Sequence, residues 1–235
     1  MNKLVEKISI KEENRRICIL DLCISASVVV AYLVIVAVKN SSEESLFGMG
    51  FYAFFFLFQF ILYTILVQAL KIEEGNYIDS LLQVGVFTLG ILPLLMVVAY
   101  GNQIGRLQPL LPLSIQYLWG IILVNIKQRL AAIDKKKVCY VNLFNFVVMV
   151  GGMMLFYLFY QYKSLVLVSV FDKRIPKGFF INPLLTIIGI LRTQMGEVNH
   201  IGYVPVMLFL LFWIFFEILL FCISKYRMMR RSQDG

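Results

Sequence analysis

Long apolar runs alternate with short polar stretches along the chain, and the length of each run indicates what it forms. About 20 apolar residues in a helix cover the hydrocarbon core of a bilayer. The pattern therefore predicts an all-α, polytopic integral membrane protein with six transmembrane helices. The expected spans cover about 17–38, 46–70, 84–100, 110–126, 141–160 and 204–224.

The region between the fifth and sixth expected spans has a different pattern. It contains two apolar runs, SLVLVSVF and FFINPLLTIIGIL, that are too short to span comfortably. Runs of about a dozen apolar residues are typical of re-entrant or interfacial helices. Asn182 and Pro183 favour a helix start, with Asn182 as the cap and Pro183 in the first turn. We expect re-entrant helices here.

The first 16 residues are polar and charged, and the apolar run after them lacks a small-residue cleavage pattern. Leu4, Val5 and Ile8 would form one apolar stripe on a helix. This predicts a cytoplasmic interfacial segment at 1–16, with a disordered basic tail as the alternative. Residues 17–235 then form a single transmembrane domain.

Composition agrees with a membrane protein. Hydrophobic residues make up 60% of the chain and charged residues 15%, with a mean hydropathy of +0.81. A soluble fold of this size could not bury so much apolar surface. The net charge of +8 indicates contact with anionic lipid headgroups, and we do not expect nucleic acid as a partner.

The distribution of basic residues predicts the orientation. With the N-terminus in the cytoplasm, fifteen of the 22 lysine and arginine residues fall on the cytoplasmic side. An even number of spans places the C-terminal run KYRMMRR there as well, as the positive-inside rule requires. The expected location is the cell membrane of a bacterium, with both termini cytoplasmic.

Two acids lie within or beside apolar runs. Asp21 is close to a boundary, where water or Arg16 would reach it. Glu217 lies deeper, and an acid at such depth is often functional. Glu217 is expected to face the bundle and is a candidate intramembrane polar site. It would either hydrogen-bond a group such as Gln59 or Asn145, or line a substrate path.

The segment Lys71–Gln83 joins the second and third expected spans and reads KIEEGNYIDSLLQ. On a helix its charges would face water, while Tyr77, Ile78, Leu81 and Leu82 would face the bilayer or a partner. The plainer alternative is a segment that only turns the chain around.

EEGNYIDSLL resembles the segment E-x-x-G-T-x-E-x-L-L that follows the second helix of type-2 ABC exporter permeases. These small bacterial permeases have six helices, and the segment forms a coupling helix that docks on the ATPase subunit. FFINPLLTIIGIL occupies the place of that family's extracellular re-entrant helices. Asn76 replaces the usual threonine, and one residue fewer separates acid from glycine. The resemblance assigns the coupling role to Glu73, Glu74, Gly75, Asp79, Leu81 and Leu82.

This resemblance implies a transport subunit with no catalytic residues and no bound metal. The chain has no Walker A segment, so ATP and Mg²⁺ would be bound by a partner ATPase. A second permease subunit, identical or different, would complete the transporter. Few charges lie in the spans, so the expected substrate is hydrophobic or amphipathic, such as a lipid-like molecule or an antimicrobial peptide. The alternative is a non-transporting membrane factor for assembly or bacteriocin immunity.

A membrane enzyme ranks third. The pair Glu73-Glu74 begins the E-E-x-x-x-R motif of CAAX-processing intramembrane proteases, but Ile78 stands where the arginine belongs. The single histidine, His200, lies in an expected outer loop, so the later histidines of that site are missing as well. The four cysteines form no C-x-x-C pair and are expected to be small apolar residues.

Overall fold

The computed structural model describes residues 12–39, 49–72, 77–102, 104–105, 107–158, 181–196 and 204–233, without the side chains of 39, 49, 135, 205 and 223–233. Every regular element among them is helical, so the all-α prediction is confirmed. The helices are α1 (Glu12–Lys39), α2 (Met49–Leu66), α3 (Tyr77–Gly90), α4 (Leu92–Gly101), α5 (Leu110–Ile133), α6 (Cys139–Phe146), α7 (Pro183–Gln194) and α8 (Val204–Gln233). A π-helical turn, Val147–Gly151, follows α6, and the helix continues through residue 158.

Five stretches are long and apolar enough to cross a membrane. They are Glu12–Val38, Gly50–Ala69, Tyr77–Gly101, Leu110–Ile133 and Lys136–Leu158. In α8 the apolar part with described side chains, Val206–Cys222, is shorter. By length and composition, these helices are compatible with a polytopic membrane protein.

Several helices begin or end outside the expected spans. The third begins at Tyr77, seven residues early, because Ser80 and Gln83 are buried and extend its contacts with the bundle. It is interrupted at Ile91, and Pro93 lies in the first turn of α4, where a missing N–H is tolerated. α1 already begins at Glu12, so residues 12–16 form one continuous helix with the expected first span. The rest of the expected interfacial segment, residues 1–11, lies outside the described residues.

Hydrogen bonds define the two ends of the bundle. At one end, which we call the basic end, Lys127 Nζ donates to the carbonyls of Gln68 and Leu70, and Arg129 donates to the carbonyl of Leu220. At the opposite end, which we call the Gln108 end, Gln194 Nε2 donates to the carbonyl of Gln108 at 2.6 Å.

α5 is the central helix, in contact with α2, α3, α6, α7 and α8. The helix α1 and the stretch Lys136–Leu158, which contains α6, are peripheral, since only 17% and 11% of the residues in their most apolar parts are buried. The phenylalanine-rich α2 contributes an inner aromatic face, and five of its aromatic side chains are at most 1% exposed. These are Tyr52, Phe55, Phe56, Phe60 and Tyr63.

Candidate functional site

The expected coupling segment lies at the basic end. Glu73, Glu74 and Gly75 fall outside the described residues. Asp79, Leu81 and Leu82 lie in the first two turns of α3, within the stretch Tyr77–Gly101 that is long and apolar enough to cross a membrane. This helix begins with Asp79 in its first turn, where an acid interacts favourably with the helix dipole.

Hydrogen bonds connect the start of α3 with two other helices. Gln128 Nε2 of α5 donates to Ser80 Oγ at 3.1 Å. Tyr117 Oη of α5 donates to the carbonyl of Leu81 at 3.2 Å. On the α1 side, Asn14 Nδ2 donates to Gln83 Oε1 at 3.1 Å. A displacement of this turn would therefore act directly on α1 and α5.

An apolar groove of about 430 Å³ begins beside the same turn and runs between α3 and α5. Its polar groups already have partners: Ser114 Oγ donates to the carbonyl of Leu111, and Thr88 Oγ1 to that of Val84. The groove therefore suits an apolar molecule or an apolar surface. Its lining includes Leu81, Leu82, Gly85, Val86, Leu89, Leu113 and Tyr117.

Glu217 faces the bundle, as expected, and is 5% exposed. Its hydrogen-bond partner differs from both expected ones: Asn125 Nδ2 of α5 donates to Glu217 Oε2 at 3.2 Å. The other oxygen, Oε1, is buried without a hydrogen bond from the described residues. Arg129 is near enough to interact electrostatically with the carboxylate. We call Asn125, Arg129 and Glu217 the α5–α8 seam.

Asp21 is 2% exposed and is therefore away from water, contrary to expectation. Gln59 Nε2 of α2 donates to both of its carboxylate oxygens, at 3.0 and 3.1 Å. Ser25 Oγ donates in turn to Gln59 Oε1. The expectation was wrong because the side chain points toward α2 rather than along α1 toward Arg16. We call Asp21, Ser25 and Gln59 the α1–α2 seam.

Asn182 caps α7, as its sequence predicts. Its Oδ1 accepts the backbone N–H groups of Leu184 and Leu185 at 2.9 and 3.1 Å, and Pro183 begins the helix. Its Nδ2 donates to the carbonyls of Val148 and Met149 in the π-helical turn. One side chain thus joins the start of α7 to the middle of the helix that begins as α6.

The bonds of α7 indicate its depth in the bundle. Its last residue, Gln194, bonds at the Gln108 end, where it also accepts a hydrogen bond from Tyr52 Oη. Its start lies beside Met149, about 15 Å along the helix from Cys139 at 1.5 Å per residue. Hence α7 occupies the half of the bundle next to the Gln108 end. It packs against α2, α5 and α8.

Sequence analysis named Gln59 only as a candidate partner of Glu217, and it did not name Asn125. Gln59 and Asn125 each interrupt an apolar run, and an isolated amide in a span is a signal for an interhelical hydrogen bond. The sequence does not show which acid each amide meets. Gln116 gives the same signal, and it is fully buried with no hydrogen bond from the described residues to either side-chain polar atom.

The described residues contain no group of three or more His, Cys, Asp or Glu side chains placed to hold a metal ion. His200 lies outside the described part of the chain. The candidate site therefore consists of hydrogen bonds that link the start of α3 to α5 and of buried acid–amide contacts between helices. Comparison with protein-family models, curated proteins and solved structures finds no match to this chain.

Proposed function

We propose that this protein is the membrane-spanning permease subunit of an ATP-driven ABC exporter. A separate ATPase chain would bind the basic end at Glu73–Leu82, and a second permease subunit would complete the path. The expected cargo is hydrophobic or amphipathic, such as a lipid-like molecule or an antimicrobial peptide.

The observation that carries this proposal is the linkage of the first turns of α3 to α5. Ser80 and Leu81 are bonded to Gln128 and Tyr117 of the helix that contacts most of the bundle. A push on this turn would therefore move the central helix. A segment that only reversed the chain would not need such bonds.

The groove between α3 and α5 supports the choice of cargo. Its lining is apolar, it begins at Leu81 and Leu82, and its hydroxyl groups are already bonded. A sugar or a free ion would find few unsatisfied partners there. An acyl chain or an apolar peptide face would bury its surface favourably.

The proposal includes six spans, both termini on the cytoplasmic side of a bacterial cell membrane, and α7 as a re-entrant helix of the outer half. Cysteines introduced at Ser42 and Ser232, in a background without native cysteines, test the orientation. An impermeant thiol reagent should label Ser42→Cys in intact cells and Ser232→Cys only after lysis. The opposite accessibility would overturn this topology.

Co-expression with the ABC ATPases of the same organism tests the function. The protein should co-purify with one of them and change its rate of ATP hydrolysis. Asp79→Lys should lower the amount of co-purified ATPase roughly tenfold, the size expected when a charge in an interface is reversed. Glu12→Lys is the matched control, since Glu12 is an exposed acid in the first turn of α1.

Two results would contradict the proposal. In the first, no ATPase is retained by the unmodified protein. In the second, Asp79→Lys retains as much ATPase as Glu12→Lys and leaves ATP hydrolysis unchanged. Protection of cells against an antimicrobial peptide with no ATPase present would instead support the non-transporting immunity factor.

A further inference from the structure

The π-helical turn Val147–Gly151 and the cap of α7 are one structural unit. A π-helical turn is rare, and it occurs mostly as a single turn within an α-helix, frequently at a functional site. Here the amide of Asn182, which is 7% exposed, donates to two carbonyls inside that turn. Trp213 Nε1 of α8 donates to the carbonyl of Ile181, the residue before Asn182, at 2.8 Å.

Gly152 makes this contact possible. A Cβ atom at Gly152 would lie 2.1 Å from Asn182 Nδ2. Any residue other than glycine at position 152 would therefore displace the Asn182 side chain. The neighbouring Gly151 has no such constraint, because its nearest atom would be Val147 Cγ1 at 3.9 Å. The close approach therefore depends on one glycine of the pair.

Withdrawal of Asn182 would remove its amide from the carbonyls of Val148 and Met149 in an apolar environment. The Met149 carbonyl would keep the backbone N–H of Gly152, whereas the Val148 carbonyl would lose its side-chain donor. An unsatisfied backbone carbonyl is costly there, which favours a return of the turn to α-helical pairing. Each hydrogen-bonded turn then contains one residue fewer. The following helical residues, 152–158, would then rotate by about 100° about the helix axis.

We propose that Val147–Gly151 is a two-state hinge, π-helical while Asn182 is docked and α-helical when α7 withdraws. The hinge makes the orientation of 152–158 depend on the position of α7. This inference stands apart from the exporter proposal, since it uses only contacts between α6, its continuation, α7 and α8.

Phe156 is the reporter position. It is half-buried, while Leu155 and Tyr157 on either side are 62% and 60% exposed. If the helix register shifts by one residue in either direction, Phe156 moves to the exposed position that Leu155 or Tyr157 now occupies. A spin label at Phe156→Cys should therefore become accessible to lipid-soluble oxygen when the hinge changes register.

The experiment compares this label in three variants of a background without Cys18, Cys23, Cys139 and Cys222. Asn182→Ser keeps an oxygen cap for α7 but lacks the amide that reaches α6. Gly152→Ala keeps Asn182 in the sequence but displaces its side chain from the π-helical turn. This variant gives a second test if Asn182→Ser does not fold. Gly151→Ala is the matched control.

In Asn182→Ser and in Gly152→Ala, oxygen accessibility at Phe156→Cys should rise to the value measured for a label at Leu155→Cys. In Gly151→Ala it should equal that of the background protein. The proposal is overturned if accessibility stays at the background value in the folded variants, or if Gly151→Ala raises it equally.

Discussion

The α1–α2 seam and the α5–α8 seam each bury one acid against one amide, yet they differ in how completely the acid is bonded. Both oxygens of Asp21 accept from Gln59, whose own oxygen accepts from Ser25. In Glu217 only Oε2 accepts from Asn125, and Oε1 has no partner among the described residues. The first seam is closed, which is typical of a structural contact. Within the described part of the chain, the second seam keeps an acceptor without a hydrogen bond, and such a buried group is a candidate for a functional role.

The largest expected effect comes from opening the closed seam. Gln59→Leu removes the donor to both oxygens of Asp21 and leaves the acid buried. We expect the free energy of unfolding in detergent micelles to fall by about 3 kcal/mol. The double variant Asp21→Leu with Gln59→Leu should recover most of this loss, because the buried acid is then absent and only the Ser25 hydroxyl loses its partner. A loss below about 1 kcal/mol in the single variant would show that the seam contributes little.

The next largest effect is expected from disturbing the packing of α2 one turn beyond the α1–α2 seam. Tyr63 lies one turn after Gln59, is fully buried, and shares a hydrogen bond of 2.9 Å with Thr88. Gly120→Ala would place a Cβ 2.1 Å from Tyr63 Oη. Overpacking of this kind should cost about 2 kcal/mol of unfolding free energy. The control is Gly90→Ala, where nothing lies within 4 Å, and equal losses in the two variants would contradict the packing argument.

A smaller effect is expected at the open seam. Asn125→Leu removes the amide donor to Glu217, but Arg129 still interacts with the carboxylate. We therefore expect a loss of about 1 kcal/mol, measured by the same unfolding assay. A loss as large as that of Gln59→Leu would mean that the two seams are equivalent, and the comparison would fail.

The smallest effect is expected for Glu217→Gln. Glutamine keeps an oxygen that accepts from Asn125 and removes an acid from the apolar part of the bundle. Unfolding free energy should change by no more than about 0.5 kcal/mol. Asp21→Asn is the counterpart in the closed seam and should cost about 1 kcal/mol, because it places an N–H₂ group against Gln59 Nε2. If Glu217→Gln proved the costlier, Glu217 would be the structural acid.

The lengths of the apolar runs determined the all-α fold, the presence of helices long enough to cross a membrane, and the approximate position of most helices. Local chemistry also determined the start of α7, because the cap of Asn182 and the fixed backbone angle of Pro183 act within a few residues. The inward orientation of Glu217 followed from the high cost of placing an acid in lipid.

Only the tertiary structure decided which polar groups meet. Gln59 was a candidate partner for Glu217 but bonds Asp21, and Asn145 accepts a hydrogen bond from Trp119 Nε1 instead. The extension of α3 back to Tyr77 and the π-helical turn likewise depend on contacts between distant segments. The physical reason is that lipid tails are as apolar as leucine side chains. Hydropathy therefore indicates that a residue is removed from water. It does not indicate whether that residue then contacts lipid or another helix, or which helix it contacts.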